Sequence, residues 1–265
     1  MKKIILATRT KGGEKDFKEC VKKLDIRFER DNFIKNYYII SDWETKKNFE
    51  EIKDSVYKIY DKNPIRPTAF NDVLKQLNEN KDEKGEFHLL TYSKEVDLRE
   101  ENIKRMIEEI EKEEDRLIVV GYRLKDNVLN NEERLSYEDT IAYKVPWNTC
   151  ALWNKKFVYG DRVKKLRFDE ICDKNDLGTL EVTVYDHQIT TNYEGMEDGL
   201  VIAEFITKNK RLRYKLIGDE PLDWQIDGEN RRFKQKVKMA RKSIVLTTFM
   251  NIKGYSIDKL MKAEL

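Results

Sequence analysis

Apolar residues in the first half of the chain fall in short blocks separated by longer amphipathic stretches. Ile4 to Thr8, Tyr37 to Ile40, Phe87 to Tyr92 and Leu117 to Val120 are too short for helices, and the apolar runs within them predict strands buried on both faces. After the first block, Gly12-Gly13 turns the chain into a helix predicted to reach about Leu24. After the second, Phe49, Ile52, Val56 and Ile59 recur at spacings of 3, 4 and 3, which predicts another helix. Pro64 and Pro67 interrupt the chain before a helix expected from about Thr68 to Asn78. Asp97-Leu98-Arg99-Glu100 has capping-box spacing with Asp97 as the cap, and Ile103, Met106, Ile107 and Ile110 then form a helical stripe.

Buried strands alternating with helices predict an α/β fold, a mostly parallel central sheet flanked by helices. In an open sheet of this kind ligands bind beyond the carboxyl ends of the strands. That rule selects residues Thr8–Gly13, Ser41–Glu44, Thr91–Asp97 and Gly121–Lys125 before any chemistry is considered.

The second half is less regular. Val145 to Trp153 is aromatic and weakly polar, Leu180 to Tyr185 alternates as a strand does, and Leu200 to Ile206 reads as an apolar helix opened by Glu197-Asp198. From Gly228 the chain reads as a basic amphipathic helix with Phe233, Val237, Ala240 and Ile244 on one face. No repeat or Pro-, Gly- or Ser-rich linker divides the chain. Residues 1–210 are expected to form one α/β domain, with 211–265 a C-terminal strand and basic helices packed on it.

Composition changes this picture little. Of 265 residues, 39% are hydrophobic and 38% charged, a lean apolar share, but 11% are aromatic and the apolar positions are periodic, so a folded chain is expected. The 52 Lys and Arg are nearly cancelled by 50 Asp and Glu, which argues against a nucleic-acid partner. Cys20, Cys150 and Cys172 show no CxxC spacing, and His88 and His187 lie far apart, so neither a disulfide framework nor a zinc site is expected. The apolar run after Met1 is too short for a signal peptide, and no stretch has the length of a membrane span. A soluble, cytoplasmic protein is the expectation.

Several chemistries lack their parts. There is no GxxxxGK[ST] loop, no GxGxxG turn and no GxSxG elbow. His88, on a strand, reads as a satisfied core residue. What remains is a series of carboxylates at strand ends and helix starts: Asp42, Glu95, Asp97, Asp169-Glu170 and Glu197-Asp198. Taken singly, each has an ordinary structural reading, and Asp42, Asp97 and Asp198 read as helix caps.

Their order resembles that of the GT-A nucleotide-sugar glycosyltransferases, closest to the inverting family-2 type, over roughly Lys2 to Ile206. The resemblance implies a GT-A-like, Rossmann-related sheet with a C-terminal helical extension. It implies that Asp42, at the end of Tyr38-Ile39-Ile40-Ser41-Asp42, meets the nucleoside with Thr8 and Arg9 of the first loop. Arg66 and Asn71 match the family's basic and Asn helix residues. Ser93-Lys94-Glu95 stands where the family has its metal-binding DXD. Two readings are open there: Glu95 with Asp97 holds Mg²⁺ or Mn²⁺, or Lys94 neutralises the diphosphate as a point charge. Trp147, Asn148 and Thr149, with Asp169 and Glu170 of Phe168-Asp169-Glu170, match the acceptor and sugar pocket. Asp198, beside Glu197, matches the general base. Neighbouring carboxylates hold protons more tightly, whereas a helix N-terminus favours the anion, and these effects oppose one another.

The implied activity is transfer of a sugar from a nucleotide-diphosphate sugar to a hydroxyl on a glycan, a lipid-linked acceptor or a protein. Two other functions compete: a non-catalytic GT-A-like protein that binds nucleotide or glycan, and a sugar nucleotidyltransferase, for which Thr8 to Gly13 is a weak match. Trp147 is expected to floor a sugar, and Trp153 to sit in the core. The basic helix either covers the sheet or touches an anionic membrane surface.

Overall fold

A computed structural model describes residues 3–28, 33–64, 69–79, 86–124, 141–159, 179–184, 187–192, 197–222 and 229–265. Its strands are β1 (Ile4–Thr10), β2 (Ile34–Ser41), β3 (Phe49–Lys53), β4 (Val56–Tyr60), β5 (His88–Tyr92), β6 (Leu117–Leu124), β7 (Cys150–Trp153), β8 (Thr179–Val184), β9 (His187–Asn192) and β10 (Arg213–Leu222). Eight form one sheet in the order β10-β6-β7-β5-β1-β2-β4-β3, while β8 and β9 pair as a separate hairpin. The sheet is mostly parallel. Two strands are reversed: β3 at one edge, and β7 inserted between β5 and β6.

The helices are α1 (Gly13–Phe28), α2 (Phe70–Glu79), α3 (Glu100–Lys112), the single turn α4 (Lys155–Val158), α5 (Glu197–Lys208), α6 (Glu229–Ile252) and α7 (Ile257–Met261), with a 3₁₀ turn at Ile141–Lys144. Alternation along β1 sorts its side chains between two cores. Ile4 and Leu6 pack with Phe17, Cys20 and Leu24 of α1 and with Ile103, Met106, Ile107 and Ile110 of α3. Ile5 and Ala7 join the opposite core, with Phe70, Val73 and Leu77 of α2 and residues of α5 and α6. The expected α/β architecture is therefore present, a mostly parallel sheet with helices on both faces, compatible with a Rossmann-like fold.

The helix expected over Phe49 to Ile59 is instead the β3–β4 hairpin. Phe49 stands opposite Ile59 and Glu50 opposite Lys58, with the turn made at Ser55, whose φ is 62°. Of the four residues only Phe49 and Ile59 face each other; Val56 stands opposite Lys53 and packs into the other core, and Ile52 is exposed at the irregularity in β3. Tertiary packing decides between the two structures. The Tyr57 ring lies 5.2 Å from Tyr38 and 5.4 Å from Phe49, a three-ring stack on one sheet face that a helix could not make. Lys58, fully buried, donates from Nζ to Thr45 Oγ1 at 2.7 Å and Trp43 O at 3.2 Å, which pins the loop after β2.

Two further expectations are corrected. The N-cap of α3 is Arg99 rather than Asp97; Asn102 Oδ1 accepts from the Arg99 amide at 2.9 Å, and Asp97 instead forms an ion pair with Arg99 at 3.7 Å. On α6, Ala240 of the expected stripe is buried, Val237 and Ile244 are half-buried and the side chain of Phe233 lies outside the described residues, while Met239, Ser243, Leu246, Phe249 and Met250 are buried as well. This helix packs against the 3₁₀ turn, α5 and β8, so burial on it is not confined to one stripe. The last part of the chain also enters the sheet, since β10 pairs with β6 in parallel. Among the described residues no helix is long and apolar enough to cross a membrane.

His88 is the satisfied core residue the sequence suggested: it is 2% exposed, and its Nδ1 accepts from the Lys155 amide at 3.1 Å. Burial, with Lys155 adding to it, pushes its pKa down to about 4. The unfolded chain takes up this proton near pH 6.5 and the folded one does not, so stability falls as pH drops from about 6.5 towards 4. The loss is expected to reach roughly 3 kcal/mol. Denaturant titrations across that range should show a shallower acid limb for His88→Asn; an unchanged slope would refute the assignment.

Candidate functional site

The strand order places the chain's reversal between β1 and β5. From β1 the chain moves to β2 and β4 on one side, then returns to β5 on the other. Connections that part in this way leave a crevice at the carboxyl edge. Because β7 runs backwards, its entrance reaches that same edge, and the Ser93 amide donates to Thr149 O at 2.9 Å. A cavity of about 350 Å³ occupies the place. Its walls come from Arg9, Thr10 and Lys11 after β1, Asp16 of α1, Tyr92 to Glu95 after β5, and Asn148 and Thr149 before β7.

The first wall is built around glycine. Gly12 and Gly13 have φ of 133° and 65°, which lets the chain leave β1 and start α1 at once. A Cβ on Gly12 would meet Asp16 Oδ2 at 2.4 Å, so only glycine leaves that carboxylate where it is. Asp42, at the end of β2, accepts from the Gly13 amide at 2.8 Å and the Gly12 amide at 3.0 Å. Burial opposes its charge, but these amides, its own amide and Lys11 outweigh it and hold the carboxyl below its usual range. Asp42 thus acts as an anchor for the loop that carries Lys11.

The second wall rests on a buried polar network. Asn148 Oδ1 accepts from Thr91 Oγ1 at 3.0 Å and from Trp153 Nε1 at 2.9 Å. The Asn148 amide donates to Asp198 Oδ2 at 2.9 Å, and Gly199 donates to Asp198 Oδ1 at 3.1 Å. Asp198, in the first turn of α5, is 6% exposed. It reaches the cavity wall through the residue it holds, and each carboxylate oxygen keeps a lone pair beyond the bond it makes.

Of the residues expected from sequence, Arg9, Ser93, Lys94, Glu95, Asn148 and Thr149 line this one cavity. Asp42 and Asp198 each bond to a residue on it or beside it. Thr8 is fully buried within β1, and Asn71, on α2, is not among the residues that line the cavity. Asp97 is turned to Arg99 and is not on the wall. Trp147 is a buried core residue whose Nε1 donates to Ala142 O at 2.8 Å, with the Lys242 ammonium 3.8 Å from its ring centre. Arg66, Asp169 and Glu170 lie outside the described residues, as does the side chain of Glu197. Sequence reasoning missed Asp16, whose signal is its place as a first-turn acid of the helix that follows the β1 loop.

The walls carry three cationic side chains, Arg9, Lys11 and Lys94, against two carboxylates, Asp16 and Glu95. That balance suits a polyanion. Among the described residues no group of three or more His, Cys, Asp or Glu stands together as a metal cage. A carboxylate or two with substrate phosphates is nevertheless how Mg²⁺ is commonly held, and Asp16 with Glu95 fits that donor set. The two described thiols offer no nucleophile, since burial pushes Cys20 up to about 11 and Cys150 up to about 12. No protein-family model matches the chain, and no curated protein matches it at a significant level.

Proposed function

We propose that the protein is a GT-A-like glycosyltransferase, probing a nucleotide-diphosphate sugar in the cavity at the carboxyl edge of β1 and β5 and passing its sugar to an acceptor hydroxyl. The observation that supports this reading is convergence: Glu95 lines one cationic hollow, Asp42 holds the loop that carries Lys11 on its wall, and Asp198, in the first turn of α5, holds Asn148 on the same wall. Arg9 and the loop anchored by Asp42 face the nucleoside, while Lys11 and Lys94 take the diphosphate. The acceptor oxygen attacks the anomeric carbon as the bond from that carbon to the diphosphate oxygen breaks. Asp198 takes the hydroxyl proton, and the cations balance the charge gathering on the leaving group. Mg²⁺ or Mn²⁺, held by Glu95 with Asp16, would supply further charge neutralisation. The acceptor is a hydroxyl of a glycan, a lipid-linked carrier or a protein, and the setting proposed is the cytoplasm.

Calorimetry with UDP, GDP and CDP and their hexose esters, with and without Mn²⁺, tests the reading together with a transfer assay. Binding with neither hydrolysis nor transfer would favour the non-catalytic nucleotide- or glycan-binding alternative. Binding of none would refute both. Lys94→Gln should weaken nucleoside-diphosphate binding about tenfold or more, the worth of one charge-assisted hydrogen bond. Added salt should narrow the gap between the two proteins, and equal affinities at low salt would remove Lys94 from the site.

A further inference from the structure

Trp147 forms the base of the turn that brings Asn148 and Thr149 to the cavity. The Cys150 amide donates to Trp147 O at 2.9 Å, so Asn148 and Thr149 are the two corner residues of a tight turn. The tip of this turn is tied to Asp198 and to the Ser93 amide. Its base is held from α6, which restrains the Trp147 indole twice. Lys242 lies over the ring, with Nζ 3.8 Å from its centre. The one donor of the indole, Nε1, goes to Ala142 O at 2.8 Å, and the Ala142 amide donates in turn to Ser243 Oγ at 3.0 Å. Ser243 is fully buried and Lys242 half-buried. A hydrogen bond at the edge and a cation on the face together set both the place and the plane of an aromatic ring.

We propose that Lys242 and Ser243 are positioning residues, which hold the Asn148-Thr149 turn in its place on the cavity wall through Trp147. Neither is among the residues that line the cavity. The basic helix thus has a task beyond covering the sheet. Attraction between a cation and a ring is strongest where water is kept out, and Trp147 is 6% exposed. That the turn serves sugar transfer rests on the nucleotide-sugar reading; the brace itself does not. In that reading Lys11 and Lys94 take the diphosphate, and the turn meets the sugar and its acceptor. Loosening the brace therefore acts on turnover and spares the grip on the diphosphate.

Amide hydrogen exchange in the full-length protein, read residue by residue, tests the brace without any ligand. Lys242→Met keeps most of the apolar length of the side chain and removes the charge, whereas Lys242→Arg keeps a cation for the ring. In Lys242→Met the Asn148 and Cys150 amides should exchange about tenfold faster, with the β1 amides unchanged within about twofold. Lys242→Arg should restore the slow rates. Ser243→Ala leaves the buried Ala142 amide without its acceptor and should speed the same two amides. Wild-type rates in Lys242→Met, acceleration spread evenly over β1 and the turn, or no rescue by Lys242→Arg would overturn the proposal. In the transfer assay, Lys242→Met should lower turnover about tenfold while affinity for UDP, GDP or CDP stays within about threefold. Unchanged turnover, or diphosphate affinity that falls as far as turnover does, overturns the positioning role. If the wild type binds no nucleotide, the nucleotide-sugar reading fails, and the exchange rates still decide the brace.

Discussion

Replacing Asp198 by Asn is expected to lower the rate of sugar transfer by about 10²–10⁴-fold, the usual contribution of a positioned general base. The same variant separates chemistry from scaffolding. Asp198 accepts from the amides of Asn148 and Gly199, and Asn supplies one carbonyl oxygen where the carboxylate had two. One buried amide then loses its acceptor, at a cost of about 1–3 kcal/mol. Denaturation should register that loss, while affinity for the nucleoside diphosphate stays within about threefold, a shift of less than 1 kcal/mol. Normal turnover in the variant would assign Asp198 to holding Asn148 and would leave the base elsewhere. Loss of diphosphate binding in step with turnover would point the same way, because a base for the acceptor hydroxyl has no part in holding the donor.

Gly121→Ala should produce the largest structural effect. Gly121 lies in β6, paired with Ala151 of β7 and Leu216 of β10. A Cβ there would stand 2.6 Å from Pro146 Cβ, 2.8 Å from Pro146 Cα and 3.1 Å from Leu216 Cδ2. Pro146 is buried, and its backbone cannot swing aside as the end of a long side chain can. Overpacking of this kind costs about 1–3 kcal/mol, occasionally more. For a chain of this size that is a fall in Tm on the order of 5 °C. The strain also lands two residues from Asn148 on the cavity wall, so nucleoside-diphosphate affinity should fall with stability. A melting temperature within about 1 °C of wild type would show that β6 and the 146–149 segment part without cost.

Periodicity and burial were enough to find the layers. Ile4 to Thr8, Tyr37 to Ile40, Phe87 to Tyr92 and Leu117 to Val120 are strands because an unbroken apolar run of that length has to be covered on both faces, and the helices that cover them advertise their stripes. Where periodicity is shared by two structures, as in Phe49 to Ile59, it could not choose. The ring stack on Tyr38 did, and that partner lies on another strand.

The candidate site divides along the same line. The rule that ligands collect at carboxyl ends named the loops at Thr8–Gly13 and Thr91–Asp97, and both border the cavity. A strand's direction, however, is not written in its own residues: Cys150–Trp153 reads alike whether it runs up or down the sheet. Its reversal brings Asn148 and Thr149 to the cavity, and contacts with β5 and β6 impose that reversal. Local pattern thus settled β1, β2, β5 and β6 and the helices α1, α2 and α3 that cover them, because burial acts on each of those segments separately, but it did not find β3, β4 or β7. The grip of Asp42 on the Gly12-Gly13 turn, the hold of Asp198 on Asn148 and the orientation of the Asn148 amide depend on hydrogen bonds between residues distant in the chain, and those bonds exist only once the sheet has closed around them.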